Sequence, residues 1–293
     1  MNATSLALVI LAGLIHAIWN IAAKKARGDA RFATFSSVLV ALIWAPVGIG
    51  LGWRVVPTWG LVEWGLVVTS GVLHVLYYIA LLRGYRKADL TVVYPLARGS
   101  GPLLSSLIAI IFLGEHMTLL GVAGIVAVVV GVFFIAGGRR MLRATLDPAQ
   151  HAAMRTGILY GLLTGAFIAS YTVNDGYAVK FAAMSPILLD YFGNFVRVLV
   201  LLPTILRDRI TARIHWREQW KYALLVAAIS PLAYVLVLYA MQMSPLSRVA
   251  PAREISMLFA ALIGGQLLGE GDRLARIFGA VLIALGVMAL ALG

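Results

Sequence analysis

Arg98 interrupts one of the longest apolar runs of the chain, in the stretch "YPLARGSGPLLSS" from Tyr94 to Ser106. It follows Leu90 at a distance of about 12 Å along a helix. A guanidinium at that depth in hydrocarbon costs at least about 2.5–3.5 kcal/mol, so it faces a water-filled cavity or a partner, or else it snorkels to the interface. In a cavity its chemistry is the recognition of an anionic group, such as a solute carboxylate. Arg253 poses the same choice in a second apolar run, nearer the start of that run and with Glu254 beside it. Tyr94, Arg98, Pro102 and Ser106 share a face by i, i+4 spacing. Tyr94 is therefore a cavity candidate, with an interfacial belt tyrosine as the other reading.

Polar and aromatic side chains recur in a few more apolar runs. His16 and Asn20 are i, i+4, with Trp19 beside them; His74 and Tyr78 are i, i+4; so are Ser170 and Asn174, with Tyr171 alongside. An amphipathic aromatic offers an apolar wall and a hydrogen-bonding tip. Several converging on one cavity would suit a solute with an apolar side chain and a polar head. Each alone would also serve as core packing, its polar tip satisfied by a backbone carbonyl. Asp190, Asn194 and Arg197 are spaced to share a face, as an internal network or a gate, and Asp190 would also suit a helix first turn. Asp175 follows Asn174 and would carry protons if burial favoured its neutral form.

None of this is a catalytic constellation. The acidic residues number only 12 and are scattered, no nucleophile triad is readable, and the chain has no cysteine. His16 and His74 lack companions at metal-ligand spacing, and no glycine-rich phosphate loop follows a strand. No cofactor or metal is expected. An enzyme acting on lipid would need clustered acids or histidines at one membrane face. A non-transporting subunit or sensor fits less well, because no soluble domain is left over.

The elements that must position these residues are membrane helices. The chain has 293 residues, 61% hydrophobic and 12% charged, well outside the soluble range of about 45–50% and 25%. Ten runs near the length of about 20 residues that a bilayer core requires are predicted, at roughly 3–23, 32–53, 60–82, 90–113, 117–137, 154–178, 185–206, 218–242, 246–268 and 273–292. The opening "MNATSLALVILAGLIHAIWN" carries no basic region and reads as a retained first span. The net charge of +12 sits between spans, where it sets topology and meets anionic lipid; no nucleic acid partner is implied. The loops after spans 1, 3, 5, 7 and 9 hold 18 of the lysines and arginines, from Lys24 to Arg276, and the opposite loops hold only Arg54, Lys180 and Arg248. Both termini are thus expected on the non-cytoplasmic side of a multi-pass plasma (inner) membrane protein.

The two halves repeat. At an offset of 155, "FLGE" (Phe112–Glu115) falls on "LLGE" (Leu267–Glu270), Ala97-Arg98 on Ala252-Arg253, and Gly124 and Gly131 on Gly279 and Gly286. Near matches pair Tyr78 with Tyr234, Pro95 with Pro251 and Trp19 with Tyr171. Residues 1–140 form one five-helix repeat, 152–293 a second, and 141–151 a cytoplasmic linker. Because five is odd, the second repeat enters the membrane inverted, an arrangement that puts a solute site near the midplane between halves. Ala97, Gly101 and Ser105, and again Ala252, Ser256 and Ala260, are small residues at i, i+4, read as helix contact stripes. Pro95 and Pro251 weaken matched helices near their starts and mark candidate hinges or gates.

With its duplicated proline-containing fourth helix, "LGE" and glycine-rich fifth helix, and its opening "GLIHAIWN", the chain resembles the drug/metabolite transporter superfamily, in particular the ten-helix EamA-type branch. The resemblance spans essentially the whole chain. It implies an all-α membrane protein of two inverted five-helix repeats, working as a secondary transporter by alternating access. The analogue it suggests is a bacterial exporter of neutral and aromatic amino acids; drugs, sugars and nucleotide derivatives are the other substrate classes. On that reading Trp19, Asn20, His74, Tyr78, Tyr94, Arg98, Tyr171, Asn174, Tyr234 and Arg253 line the cavity of a monomer, and the partners are an amino-acid-like small molecule and the lipid bilayer.

Overall fold

The computed structural model describes residues 1–88, 90–135, 148–268 and 273–293, and its described residues form an all-helical bundle. The helices are α1 (Ala3–Lys25), α2 (Ala30–Ile43), α3 (Ala45–Val55), α4 (Leu61–Lys87), α5 (Leu90–Phe112), α6 (Leu119–Ile135), α7 (Pro148–Lys180), α8 (Pro186–Leu201), α9 (Pro203–Leu206), α10 (Arg209–Met243), α11 (Leu246–Ala252), α12 (Ile255–Leu268) and α13 (Arg273–Leu292). Six spans are long and apolar enough to cross a membrane, counting α8 and α9 together. The bent pair of α2 and α3 makes a seventh, while α6 and the Ile277–Leu292 part of α13 are apolar but shorter. Helix α7 begins inside the stretch 141–151 that reads as a linker. Residues 136–147, and Gly269 and Glu270 of the second "LGE", lie outside the described residues.

Polar residues at the run edges start the helices. The side chains of Asn2, Asp29 and Asp208 accept from the backbone N–H groups of Ser5, of Arg31 and Phe32, and of Thr211 respectively. Two apolar runs do not stay straight. The run expected over 32–53 bends by 63° at Trp44, two residues before Pro46. The run over 246–268 breaks at Arg253 and Glu254, just after Pro251.

A proline inside a membrane helix frees the carbonyl four residues back, and hydrocarbon offers nothing to satisfy it. Here other helices supply the donors. The carbonyl freed by Pro231 is that of Ala227, and Trp44 Nε1 donates to it at 3.1 Å. The carbonyl freed by Pro251 is that of Ser247, and the Ser106 hydroxyl donates to it at 2.9 Å. The first contact joins the α2–α3 bend to α10, and the second joins α5 to α11.

Glycines set the contact between the repeats. A Cβ on Gly131 would lie 2.6 Å from the Gly279 carbonyl oxygen, and one on Gly124 would lie 2.8 Å from that of Gly286. The reciprocal substitutions meet the same distances. The pairing is antiparallel, 124 with 286 and 131 with 279, which is what equivalent helices of two inverted repeats must do. Elsewhere α5 packs on α7 through small residues: a Cβ on Gly101 would sit 2.6 Å from Ile168, and buried Ala97 and Ser105 continue that stripe. On the equivalent side α1 approaches α12, where a Cβ on Gly13 would lie 2.6 Å from Ile255 and 3.2 Å from the Ser256 nitrogen. Ala252 and Ser256 are buried and Ala260 half-buried.

The α6–α13 contact has no room for a side chain. Gly131→Leu should force the helices apart and cost roughly 1–3 kcal/mol or more. Its melting midpoint in detergent, by scanning fluorimetry, should fall clearly. Gly50→Leu, where nothing lies within 4 Å of an added Cβ, should leave it unchanged.

Candidate functional site

A cavity of about 200 Å³ is lined by both halves. Helices α1, α4 and α5 of the first repeat face α7, α8, α10 and the α11–α12 break of the second across it. Trp19, His74, Arg98, Tyr171, Tyr234 and Arg253, from the residues singled out in the sequence, all reach this wall.

One buried carboxylate organises the charges. Glu254 is 1% exposed and sits in the break after α11. The Arg98 guanidinium approaches it at 2.7 Å and also donates to the Ser256 hydroxyl at 3.2 Å. Arg253 stands off at 3.7 Å from Glu254 and donates instead to the Tyr171 hydroxyl at 3.3 Å. Glu254 thus lies between two arginines, nearer to the one from the other repeat. On the opposite wall Arg197 pairs with Asp190 at 2.5 Å. Asn194, which shares their face, donates across to the Ser37 carbonyl of α2 at 2.8 Å. The lining therefore carries three guanidinium groups and one carboxylate. The Nε atoms of Arg98 and Arg197 are buried with no hydrogen-bond partner among the described residues. That surplus of donors fits an anionic group on an incoming solute.

Aromatic rings form the rest of the wall. His74 stacks on Tyr171 with ring centroids 4.1 Å apart and meets Tyr234 edge-on at 5.3 Å. Its Nδ1 points at the Ser70 carbonyl at 2.8 Å, which makes Nδ1 the protonated nitrogen and leaves Nε2 as an acceptor in the neutral ring. Tyr77 meets the edge of Tyr171, and Trp19 that of His16. Trp19 Nε1 is a buried donor without a partner among the described residues.

Four residues singled out in the sequence are absent from the cavity lining. Asn20 donates to the His16 carbonyl of its own helix, and Tyr78 to the Asp29 carbonyl at 2.9 Å. The Tyr94 hydroxyl contacts Met257 Sδ at 3.3 Å, and Asn174 donates to the Leu66 carbonyl and to Asp175. Pro95 lies inside the uninterrupted α5, and Pro251 lies inside α11, two residues before the break. Sequence reasoning passed over Tyr77, Gly13 and Ser230, and read Glu254 only as a neighbour of Arg253. The available signal for Glu254 was its own rarity, as an acid within a ninth apolar run.

The sequence matches the EamA-like transporter family description twice, over residues 3–137 and 155–292. One solved crystal structure superposes on the chain with a TM-score of 0.74, covering 100% of this chain and 98% of its own at 16% identity, which makes the fold common to both.

Proposed function

The chain belongs to the EamA-like transporter family, and from that premise we propose a secondary transporter that moves one small amino-acid-like solute through the central cavity by alternating access. The observation that carries the reading is the Arg98–Glu254–Arg253 cluster, set where the two repeats meet beside an aromatic wall. The solute carboxylate is met by the arginines and its apolar side chain by Tyr77, Tyr171 and Trp19. The cavity, at about 200 Å³, is smaller than the roughly 300–1,000 Å³ of drug-sized pockets, which favours a single neutral or aromatic amino acid over a larger drug or nucleotide.

On this reading the chain crosses the membrane ten times, the short α6 and α13 and the broken α2–α3 and α11–α12 included. The basic loops face the cytoplasm of an inner membrane. The Met1 ammonium donates to the Ala291 carbonyl at 2.8 Å, so one end of the bundle holds both termini; we place that end outside. Export is the proposed direction, by analogy with family members that export amino acids.

The test is efflux of radiolabelled phenylalanine and alanine from proteoliposomes. Arg253→Met removes a charge-assisted contact of about 1.5–3 kcal/mol and should slow flux roughly 10- to 100-fold. Tyr78→Phe, which removes only a hydroxyl that donates to the Asp29 carbonyl, should not. If neither amino acid moves, or if Arg253→Met carries them at the wild-type rate, the proposed site is wrong.

A further inference from the structure

Asp175 is 0% exposed, five residues before the end of α7, behind the cavity wall. Its carboxylate accepts from the Tyr234 hydroxyl at one oxygen and from Asn174 Nδ2 at 2.9 Å at the other. No cation pairs with it among the described residues. Each charged neighbour is committed elsewhere: Arg197 of α8 to Asp190, Arg98 of α5 to Glu254, Arg253 of the α11–α12 break to Tyr171, and Lys180 of α7 itself to Glu115. From α4, Ser70 also hydrogen-bonds the carboxylate and His74 lies edge-on to Tyr234. A lone charged carboxylate deep in a membrane protein is expensive and marks a functional group by default.

We propose that Asp175 is a proton-binding site, coupled to the cavity through Tyr234, that makes this protein a proton/solute antiporter. This rests on the amino-acid reading given above. When Asp175 is ionised, the Tyr234 O–H points at it, and the Tyr234 oxygen presents lone pairs to the cavity. Those lone pairs accept from the ammonium group of a zwitterionic solute whose carboxylate is held by Arg98 and Arg253. A proton arriving in cavity water adds to the Tyr234 oxygen as the phenol proton passes to the Asp175 carboxylate. One O–H bond forms on the carboxyl, one is replaced on the phenol, and the carboxylate loses its negative charge. The acid O–H then donates to Tyr234, whose own hydrogen turns into the cavity and repels the ammonium. Proton and solute therefore exclude each other, which is the requirement for exchange in opposite directions. His74, edge-on to Tyr234 and stacked on Tyr171, keeps the phenol in this orientation.

The proton claim is testable without any solute. Infrared difference spectra of the full chain in nanodiscs, between acidic and basic buffer, should show a carboxylic acid C=O band. Asp175→Asn, nearly isosteric, should remove that band; Asp175→Glu should keep it at a shifted frequency. A band unchanged in Asp175→Asn overturns the proposal. In proteoliposomes a pH gradient, acidic on the side opposite the label, should drive labelled phenylalanine at least roughly 10-fold above its rate at equal pH. Asp175→Asn should lose that drive and Asp175→Glu should recover part of it; a gradient response undiminished in Asp175→Asn also overturns the proposal. If phenylalanine does not move in the wild type while the band is lost in Asp175→Asn, the amino-acid reading fails and the proton site stands.

Discussion

Glu254→Ala is expected to lower the stability of the protein by about 3–5 kcal/mol and to stop transport. Glu254 is 1% exposed, and Arg98 approaches it at 2.7 Å with Arg253 at 3.7 Å. Deleting one partner of a buried pair leaves the other charge uncompensated, and that residual charge is the source of the cost. Arg98→Ala alone leaves Glu254 with only the more distant Arg253 and should destabilise comparably. The double variant Arg98→Ala/Glu254→Ala should be less destabilised than the sum of the two, because no lone charge remains. Melting midpoints in detergent across this cycle measure the coupling. Transport separates the roles further. Glu254→Ala frees Arg98, so a carboxylate solute should bind more tightly and leave more slowly, while the double variant should bind weakly. A Glu254→Ala protein that melts with the wild type and turns over normally would show that Arg98 finds its counter-charge elsewhere.

The sequence carries a period and a register, and these point to an all-helical chain of two repeats. Gly124, Gly131, Gly279 and Gly286 could be matched at a fixed offset, and the structure brings those same residues into contact. What a single chain does not display is rotation about each helix axis. Adjacent residues on a helix differ by about 100°, so Tyr77 and Tyr78 look alike in sequence. Packing of α4 against α7 decides between them, putting Tyr77 on the cavity wall and sending the Tyr78 hydroxyl to Asp29. Partner choice is hidden for the same reason. Glu254 is adjacent to Arg253 in the chain, yet its nearer guanidinium comes from Arg98, 156 residues away. Breaks are half legible: Pro46 and Pro251 are visible, but Pro95 and Pro102 lie in a helix that continues through both. The carbonyls freed by Pro231 and Pro251 are both satisfied from another helix, yet only Pro251 lies beside a break, so the proline alone does not decide it.

The duplicated "LGE" acquires a physical role from its first copy, and under the proposed alternating access that role should have a large effect on gating. Gly114 has φ +67°, a left-handed conformation suited to glycine, and ends α5 with the Glu115 N–H bonded back to the Ala109 carbonyl at 3.2 Å. The turn aims the Glu115 carboxylate at the start of α11, where it accepts from the backbone N–H groups of Leu246 and Ser247, each at 2.8 Å. Lys180, at the end of α7, completes the contact at 3.0 Å. One side chain of the first repeat thus ties down two helices of the second, at the end of the bundle that holds the termini. Burial pushes the Glu115 carboxyl up, but the Ser247 and Leu246 N–H groups and Lys180 outweigh it and hold it below the ordinary carboxylate range. A carboxyl depressed on folding stabilises the latch above its unfolded value of about 4.3, and that stability is lost only as pH falls through the lower folded value. The latch should therefore be fully charged and indifferent to pH between about 5 and 8. Glu115→Gln removes the charge from all three contacts. Taking about 3 kcal/mol for their combined loss, it should shift the open-to-closed ratio at this end roughly 100-fold. The chain has no cysteine, so one introduced thiol reports without background. Ser106, fully buried and bonded to the Ser247 carbonyl beneath the latch, is the position for it. In proteoliposomes, the thiol of Ser106→Cys should react slowly with an impermeant maleimide, and much faster when Glu115→Gln is added. Equal rates in the two backgrounds would mean that Glu115 caps α11 without holding this end shut.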